Sequence, residues 1–185
     1  MQIHQVSAQH VVGEDRILLR INTTEGQEFR VWLTRRMTRS LWPALHNTLT
    51  GLLLRMDVRL ASGDADDPFK RGMLAGFQRD SLLESADFSQ SFRNGASALP
   101  LGDSPLLVTD VQVSQPREHT VRIEFSDRQA ASAGPRSFSV DMDGSLMQGM
   151  MHLLDQAVLA ADWQLPVPPA LQASAGRAGS PRVLN

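Results

Sequence analysis

The sequence predicts an α+β fold made of two β-β-β-α units within one chain of 185 residues. Two observations lead there. Segments of alternating apolar and polar residues give way, once in each half, to a run with helical spacing. From the third strand of each half onward, the two halves also align without a gap. Strands with a single apolar face need a cover, and the helix that follows each set supplies it. The expected architecture is antiparallel sheet(s) of about six strands covered by two helices, with a helical connector between the halves.

In the first half, Gln5-Val6-Ser7 opens an extended segment and Ile17-Leu18-Leu19-Arg20-Ile21 alternates as a strand. A turn at Glu25-Gly26 leads to Phe29-Arg30-Val31-Trp32-Leu33, and Met37, Leu41, Trp42, Leu45, Leu49, Leu52 and Leu53 then fall on one face of a helix. Pro43 conflicts with that helix, because an interior proline removes a hydrogen bond at a cost of about 3 kcal/mol. A kink, or a short first turn ahead of the main helix, would resolve the conflict.

The second half keeps the order. Gln112-Val113-Ser114 opens it, Val121-Arg122-Ile123-Glu124-Phe125 alternates, and a longer turn through Ala131 to Gly134 leads to Phe138-Ser139-Val140-Asp141-Met142. Leu146, Met150, Met151, Leu154, Val158 and Ala161 then repeat the helical spacing. In the alignment Phe29 meets Phe138, Val31 meets Val140, Leu33 meets Met142, Leu41 meets Met150 and Leu45 meets Leu154. Thr34 meets Asp143, and both are good N-cap residues at a strand-to-helix junction. The matches in strand phase, cap position and helix phase suggest an internal duplication.

Four segments follow: a first unit over residues 1–60, a connector over 61–105, a second unit over 106–165, and a tail over 166–185. Residues 1–165 are expected to form one compact domain. In the connector, Asp67 as N-cap and Pro68 at the first helical position predict a third helix reaching about Ala86. Phe88 and Phe92 lie outside any clean period and anchor an irregular segment or form a lid, and Asn94-Gly95 marks a turn. The tail, rich in Pro, Ala, Ser and Gly, has no apolar periodicity and is expected to be disordered, with a proline-rich docking ligand as the alternative.

Composition excludes several kinds of chemistry. There is no cysteine, so thiol catalysis, cysteine–zinc sites, iron–sulfur clusters and disulfides are ruled out. The start of the chain has neither a basic cluster nor an apolar run, which predicts no signal peptide. No stretch approaches the roughly 18 apolar residues of a membrane span. A cytoplasmic protein is expected.

Catalytic and cofactor signatures fail in turn. There is no glycine-rich phosphate loop and no Gly-x-Ser-x-Gly elbow. The five histidines, at positions 4, 10, 46, 119 and 152, lack the close spacings that two metal ligands favour. His46 and His152 read as helix-boundary residues. Asp64, Asp66 and Asp67 lack the spread of ligands and the closing glutamate of a calcium loop. Asp141 and Asp143 could form an acid–base pair, but a capping role for Asp143 accounts for half of it. Neither a cofactor nor a metal is expected.

One cluster remains. Arg30, Arg35, Arg36 and Arg39 fall within ten residues, three of them in the first turns of a helix, where cations oppose the helix dipole. They could form ion pairs with acidic residues of the other half or of a second subunit, or stand as solvated charges. In the third reading Thr34, Arg35, Arg36 and Arg39 bind an anion or a nucleotide at the helix N-terminus. Formal charge is +3 over residues 1–60 and -4 over 106–163, too mild an asymmetry for a nucleic-acid footprint.

The run Phe29-Arg30-Val31-Trp32-Leu33-Thr34-Arg35-Arg36 with Leu41-Trp42-Pro43, together with Ala86-Asp87-Phe88-Ser89-Gln90 and Ala161-Asp162-Trp163, resembles a family of uncharacterised proteobacterial proteins of similar length. The resemblance implies a bacterial source and carries no activity. The leading expectation is a non-enzymatic binding or assembly module. Open strand edges point to a homodimer or a protein partner, and Met147, Met150 and Met151 to adaptable packing. The alternatives are the anion-binding regulator and an enzyme of unrecognised type with its site between the two halves.

Overall fold

The computed structural model describes residues 2–56, 76, 81, 92, 95, 97–129 and 136–165. The order is β1 (Ile3–Val11), a 3-10 turn (Val12–Glu14), β2 (Arg16–Thr23), β3 (Glu28–Thr34) and α1 (Arg35–Met56), followed by β4 (Leu106–Leu107), β5 (Asp110–Arg117), β6 (Thr120–Asp127), β7 (Arg136–Met142) and α2 (Gly144–Ala161). The protein is α+β, and the order β-β-β-α occurs twice. No helix among the described residues is long and apolar enough to cross a membrane.

Two separate sheets form, in the orders β1-β2-β3-β4 and β5-β6-β7. The expectation of purely antiparallel three-stranded units needs a correction. Leu106 and Leu107 pair in parallel with Val31 and Trp32, which makes the first sheet four-stranded and mixed. A two-residue strand leaves no periodicity for a sequence reading to find. Its partner segment follows the edge of β3 from Ala98, whose carbonyl accepts from Glu28 N–H, to Val108, whose N–H donates to the Trp32 carbonyl. The next residue, Thr109, donates to Ser126 of the second sheet. The two sheets therefore meet at Val108-Thr109.

The alternation works as expected. Ile17, Leu19 and Ile21 on β2 lie opposite Leu33, Val31 and Phe29 on β3, and all six are buried. Val121, Ile123 and Phe125 on β6 lie opposite Met142, Val140 and Phe138 on β7 in the same order. Burying side chains of this size contributes about 1.5–3 kcal/mol each. The Phe138 ring stacks on Phe29 of the other sheet (4.8 Å between centroids) and on Phe125 (5.3 Å). One hydrophobic core draws on both sheets and both helices.

The first strands, which the gap-free alignment does not reach, differ in register between the two halves. Val6 pairs with Ile21, but Val113 pairs with Ile123, the counterpart of Leu19. The two Gln-Val-Ser triplets thus sit two residues apart in register. A slip of two keeps every side chain on its face, so alternation cannot detect it. The cause is the connection: a 3-10 turn joins β1 to β2, whereas a register shift between Ser114 and Arg117 shortens the β5–β6 ladder.

Both expected caps are in place. Met37 N–H donates to Thr34 Oγ1 (3.2 Å), and Leu146 N–H donates to the Asp143 carboxylate (2.8 Å). α1 continues through Pro43 as one helix, so the alternative of a separate first turn falls away. Gly26 turns the chain between β2 and β3 at φ +76°, where a Cβ would also meet Ser97 Oγ at 2.6 Å. Gly95 has φ +95°, as a turn requires. Apart from Gly76 and Ser81, both helical, the predicted helix from Asp67 to Ala86 lies outside the described residues, as do Phe88, Asn94 and the tail 166–185.

Candidate functional site

α2 follows the second sheet in sequence but lies against β1 of the first. Its buried side includes Met147, Met150, Met151 and Leu154. Beside that contact runs a groove of about 570 Å³, within the range of small-molecule sites. One wall is residues 4–7 of β1, the other is α2, and Phe92 closes part of the rim. Leu146, Gly149, Leu153 and Gln156 recur along α2 at intervals of three and four, placing them on one flank of the helix. Val6, Met150 and Phe92 add apolar surface. His4 and His152 bring an imidazole to each wall. Gln156 Nε2 donates to His152 Nε2 at 2.9 Å, which leaves the ring proton on Nδ1.

Gly149 needs a reason. A glycine inside a helix costs about 1 kcal/mol relative to alanine. A Cβ built at position 149 would meet nothing within 4 Å, so packing does not exclude a larger residue. What glycine provides there is depth at the groove floor.

Two further histidines contact carboxylates, and both contacts are structural. In α1, Trp42 Nε1 (2.6 Å) and His46 Nε2 (2.9 Å) both donate to Oδ1 of Asp155 on α2. His46 is 3% exposed. This pair joins α1 to α2, with the His46 ring buried and the Asp155 side chain 20% exposed. In the second cluster, Trp163 Nε1 donates to Asp15 Oδ1 (2.7 Å), with His10 Nε2 at 3.4 Å. The Trp163 hydrogen bond holds the Asp15 carboxyl below the usual carboxylate range, with His10 and the Arg35 charge adding to it. Asp15 has φ +47° and closes the 3-10 turn. This cluster ties the residues after α2 back to the β1–β2 connection.

The arginines do not converge on one point. Thr34 Oγ1 is used as the cap. Arg35 donates to the Trp163 carbonyl (2.8 Å), and Arg30 donates to the Asp103 carbonyl (2.8 Å). Arg36 and Arg39 are exposed. Among the described residues none of the four arginines pairs with an acidic residue of the second half; Arg30 lies 4.0 Å from Glu28 of its own sheet. Asp141 takes a bidentate bond from Arg122 of its own sheet (2.6 and 2.8 Å), and Asp143 caps α2. That Arg122 bond lowers the Asp141 pKa and raises that of Arg122. Buried Glu28 pairs with Arg20 at 2.8 Å, and the Arg20 guanidinium lies 4.1 Å from the Phe92 ring centroid.

Sequence reasoning missed the groove because its walls are 140 residues apart in the chain, and which strand α2 covers is a tertiary fact. The only local signals were the helical glycine at 149 and the half-apolar flank containing Leu146 and Leu153. No family model, curated protein or solved structure matches this chain.

Proposed function

We propose that the protein is a non-enzymatic binding module whose site is the groove between β1 and α2. The observation that carries this reading is the groove itself: a lining part apolar and part polar, with Gly149 leaving open space along it at a cost in helix stability. The histidines support it. His46 and His10 are held in structural contacts with tryptophan-bound carboxylates, and His152 is oriented by Gln156. Thr34, Arg35, Arg36 and Arg39 are less suited to an anion, since the cap and the Trp163 carbonyl already occupy the first two.

The test is titration with an environment-sensitive apolar fluorophore, anilinonaphthalene sulfonate. One saturable site with a blue-shifted emission is expected, weakened at least tenfold in Leu153→Glu, with the far-UV spectrum and cooperative unfolding preserved. Equal binding by a folded Leu153→Glu protein would remove the groove as the site. A rise in Tm with phosphate that disappears in the Arg36→Ala/Arg39→Ala double variant would move the site to the start of α1.

A further inference from the structure

The lining of the groove also specifies what enters it. Among the described lining residues there is no aspartate, glutamate, lysine or arginine. The polar groups are His4, Gln5 and Ser7 on β1 and His152 and Gln156 on α2. Two of these are imidazoles, which can turn an N–H toward an acceptor, and none is an anion. The Arg20 guanidinium that lies against the Phe92 ring is paired with Glu28 at 2.8 Å, so this contact brings no net charge to the lining. A cationic head group would find no counter-charge among the described lining residues, whereas an anionic one would find two imidazoles. The remainder is apolar, with Val6, Met150 and Leu153 as wall and Gly149 as floor. Because a Cβ at Gly149 would stand in open space, the floor has room for a methylene chain or a ring.

On the reading that the groove is the binding site, we infer that it takes an apolar monocarboxylic acid, its hydrocarbon tail over Gly149 between Val6 and Leu153 and its carboxylate toward the imidazoles of His4 and His152. The tail supplies affinity by leaving water, and the imidazoles supply the choice of head group. Each carboxylate oxygen accepts hydrogen bonds, and an imidazole N–H donating to an ionised carboxylate makes a charge-assisted bond, stronger than the bond a neutral hydroxyl would accept. Gln156 orients the His152 ring, so it acts as a positioning residue.

The experiment compares three probes with the same tail and different heads: decanoate, decan-1-ol and decyltrimethylammonium. Each is used below its micellar concentration against the full chain, by displacement of the fluorophore and by calorimetry. Decanoate is expected to bind one to one, at least fivefold tighter than decanol, with the cation weakest. His4→Leu/His152→Leu should abolish the preference for decanoate and leave decanol binding within twofold. Gly149→Leu should weaken decanoate and decanol alike by tenfold or more; Gly149→Ala, which meets no clash, should do so to a smaller degree with no loss of Tm. Decanol binding as tightly as decanoate, with both sensitive to Gly149→Leu, would overturn the carboxylate assignment and leave the groove standing. Binding of all three that ignores both Gly149 variants would overturn the groove reading itself.

Discussion

Removing the Asp155 carboxylate should be among the most damaging single changes in this protein. Its Oδ1 accepts from Trp42 Nε1 at 2.6 Å and from His46 Nε2 at 2.9 Å. Trp42 is 6% and His46 3% exposed, so in Asp155→Ala neither donor can turn readily to water. A buried donor left without a partner costs about 1–3 kcal/mol. The Asp155 side chain is 20% exposed, so water can enter the space it vacates and recover part of that loss. The expected net effect is about 2–4 kcal/mol, and at 2–4 °C per kcal/mol for a chain of this length Tm should fall by roughly 5–15 °C. Asp155→Asn retains an acceptor of the same shape and should lose less than half as much. Differential scanning calorimetry with urea titrations supplies the numbers. A cycle with His46→Leu should show a coupling of about 1 kcal/mol or more, because the two residues share a hydrogen bond. A shift below about 0.5 kcal/mol for Asp155→Ala, the size of an ordinary surface change, would refute the claim that this contact locks α1 to α2.

Two other outcomes follow from local structure. Pro43 lies inside α1, where it withholds an N–H from the Arg39 carbonyl, so Pro43→Ala should raise Tm; a helix-interior proline costs about 3 kcal/mol, and any fall in Tm would show that the ring's packing outweighs the lost bond. Asp15 and Asp141 both titrate below the usual carboxylate range in the native state, Asp15 through the Trp163 hydrogen bond and Asp141 through Arg122. Near pH 3–4 the unfolded chain then binds more protons than the native one. Their stabilising effect is complete above about pH 5 and is lost as pH falls through the lowered native values. Trp163→Phe and Asp141→Asn should therefore each flatten the acid limb of a stability–pH curve, and an unchanged limb in both would contradict those assignments.

The sequence carried the local structure well and the site poorly, for physical reasons. Strand phase is written in alternation and helix phase in 3.6-residue spacing, so Ile17 to Ile21 and Leu41 to Leu53 could be placed directly. Thr34 and Asp143 were legible because capping is chemistry within four residues. Register across a connection of variable length is not encoded that way, and the two Gln-Val-Ser triplets sit two positions apart against their neighbouring strands. Nor is helix placement: nothing in Leu146 to Gln156 says that this helix leans on β1. The arginine cluster attracted attention as a dense local pattern. Two of its members serve carbonyls far along the chain, Arg35 at Trp163 and Arg30 at Asp103, and Arg36 and Arg39 are exposed.

The placement of α2 bears on whether either half can fold by itself. Several of the strongest contacts cross between the units: α2 against β1, Phe29 on Phe138, His46 with Asp155, and Trp163 with Asp15. Separated, the first unit would expose the face of β1 carrying Val6 and Ala8 and leave buried Trp42 and His46 without their acceptor. The second would leave Met150, Met151 and Leu154 on a helix with little sheet beneath it. A domain of about 60 residues is already marginal because it buries only about 60% of its unfolded surface, and losing a shared core removes most of that. A fragment of residues 1–60 should therefore show weak far-UV ellipticity and no cooperative urea transition. Mixing it with a fragment of residues 61–165 should restore both, along with binding of the fluorophore, since the groove has one wall from each and Phe92 from the second. A first fragment that unfolds cooperatively as a monomer would show that the cross-unit contacts decorate two independent folds instead of creating one.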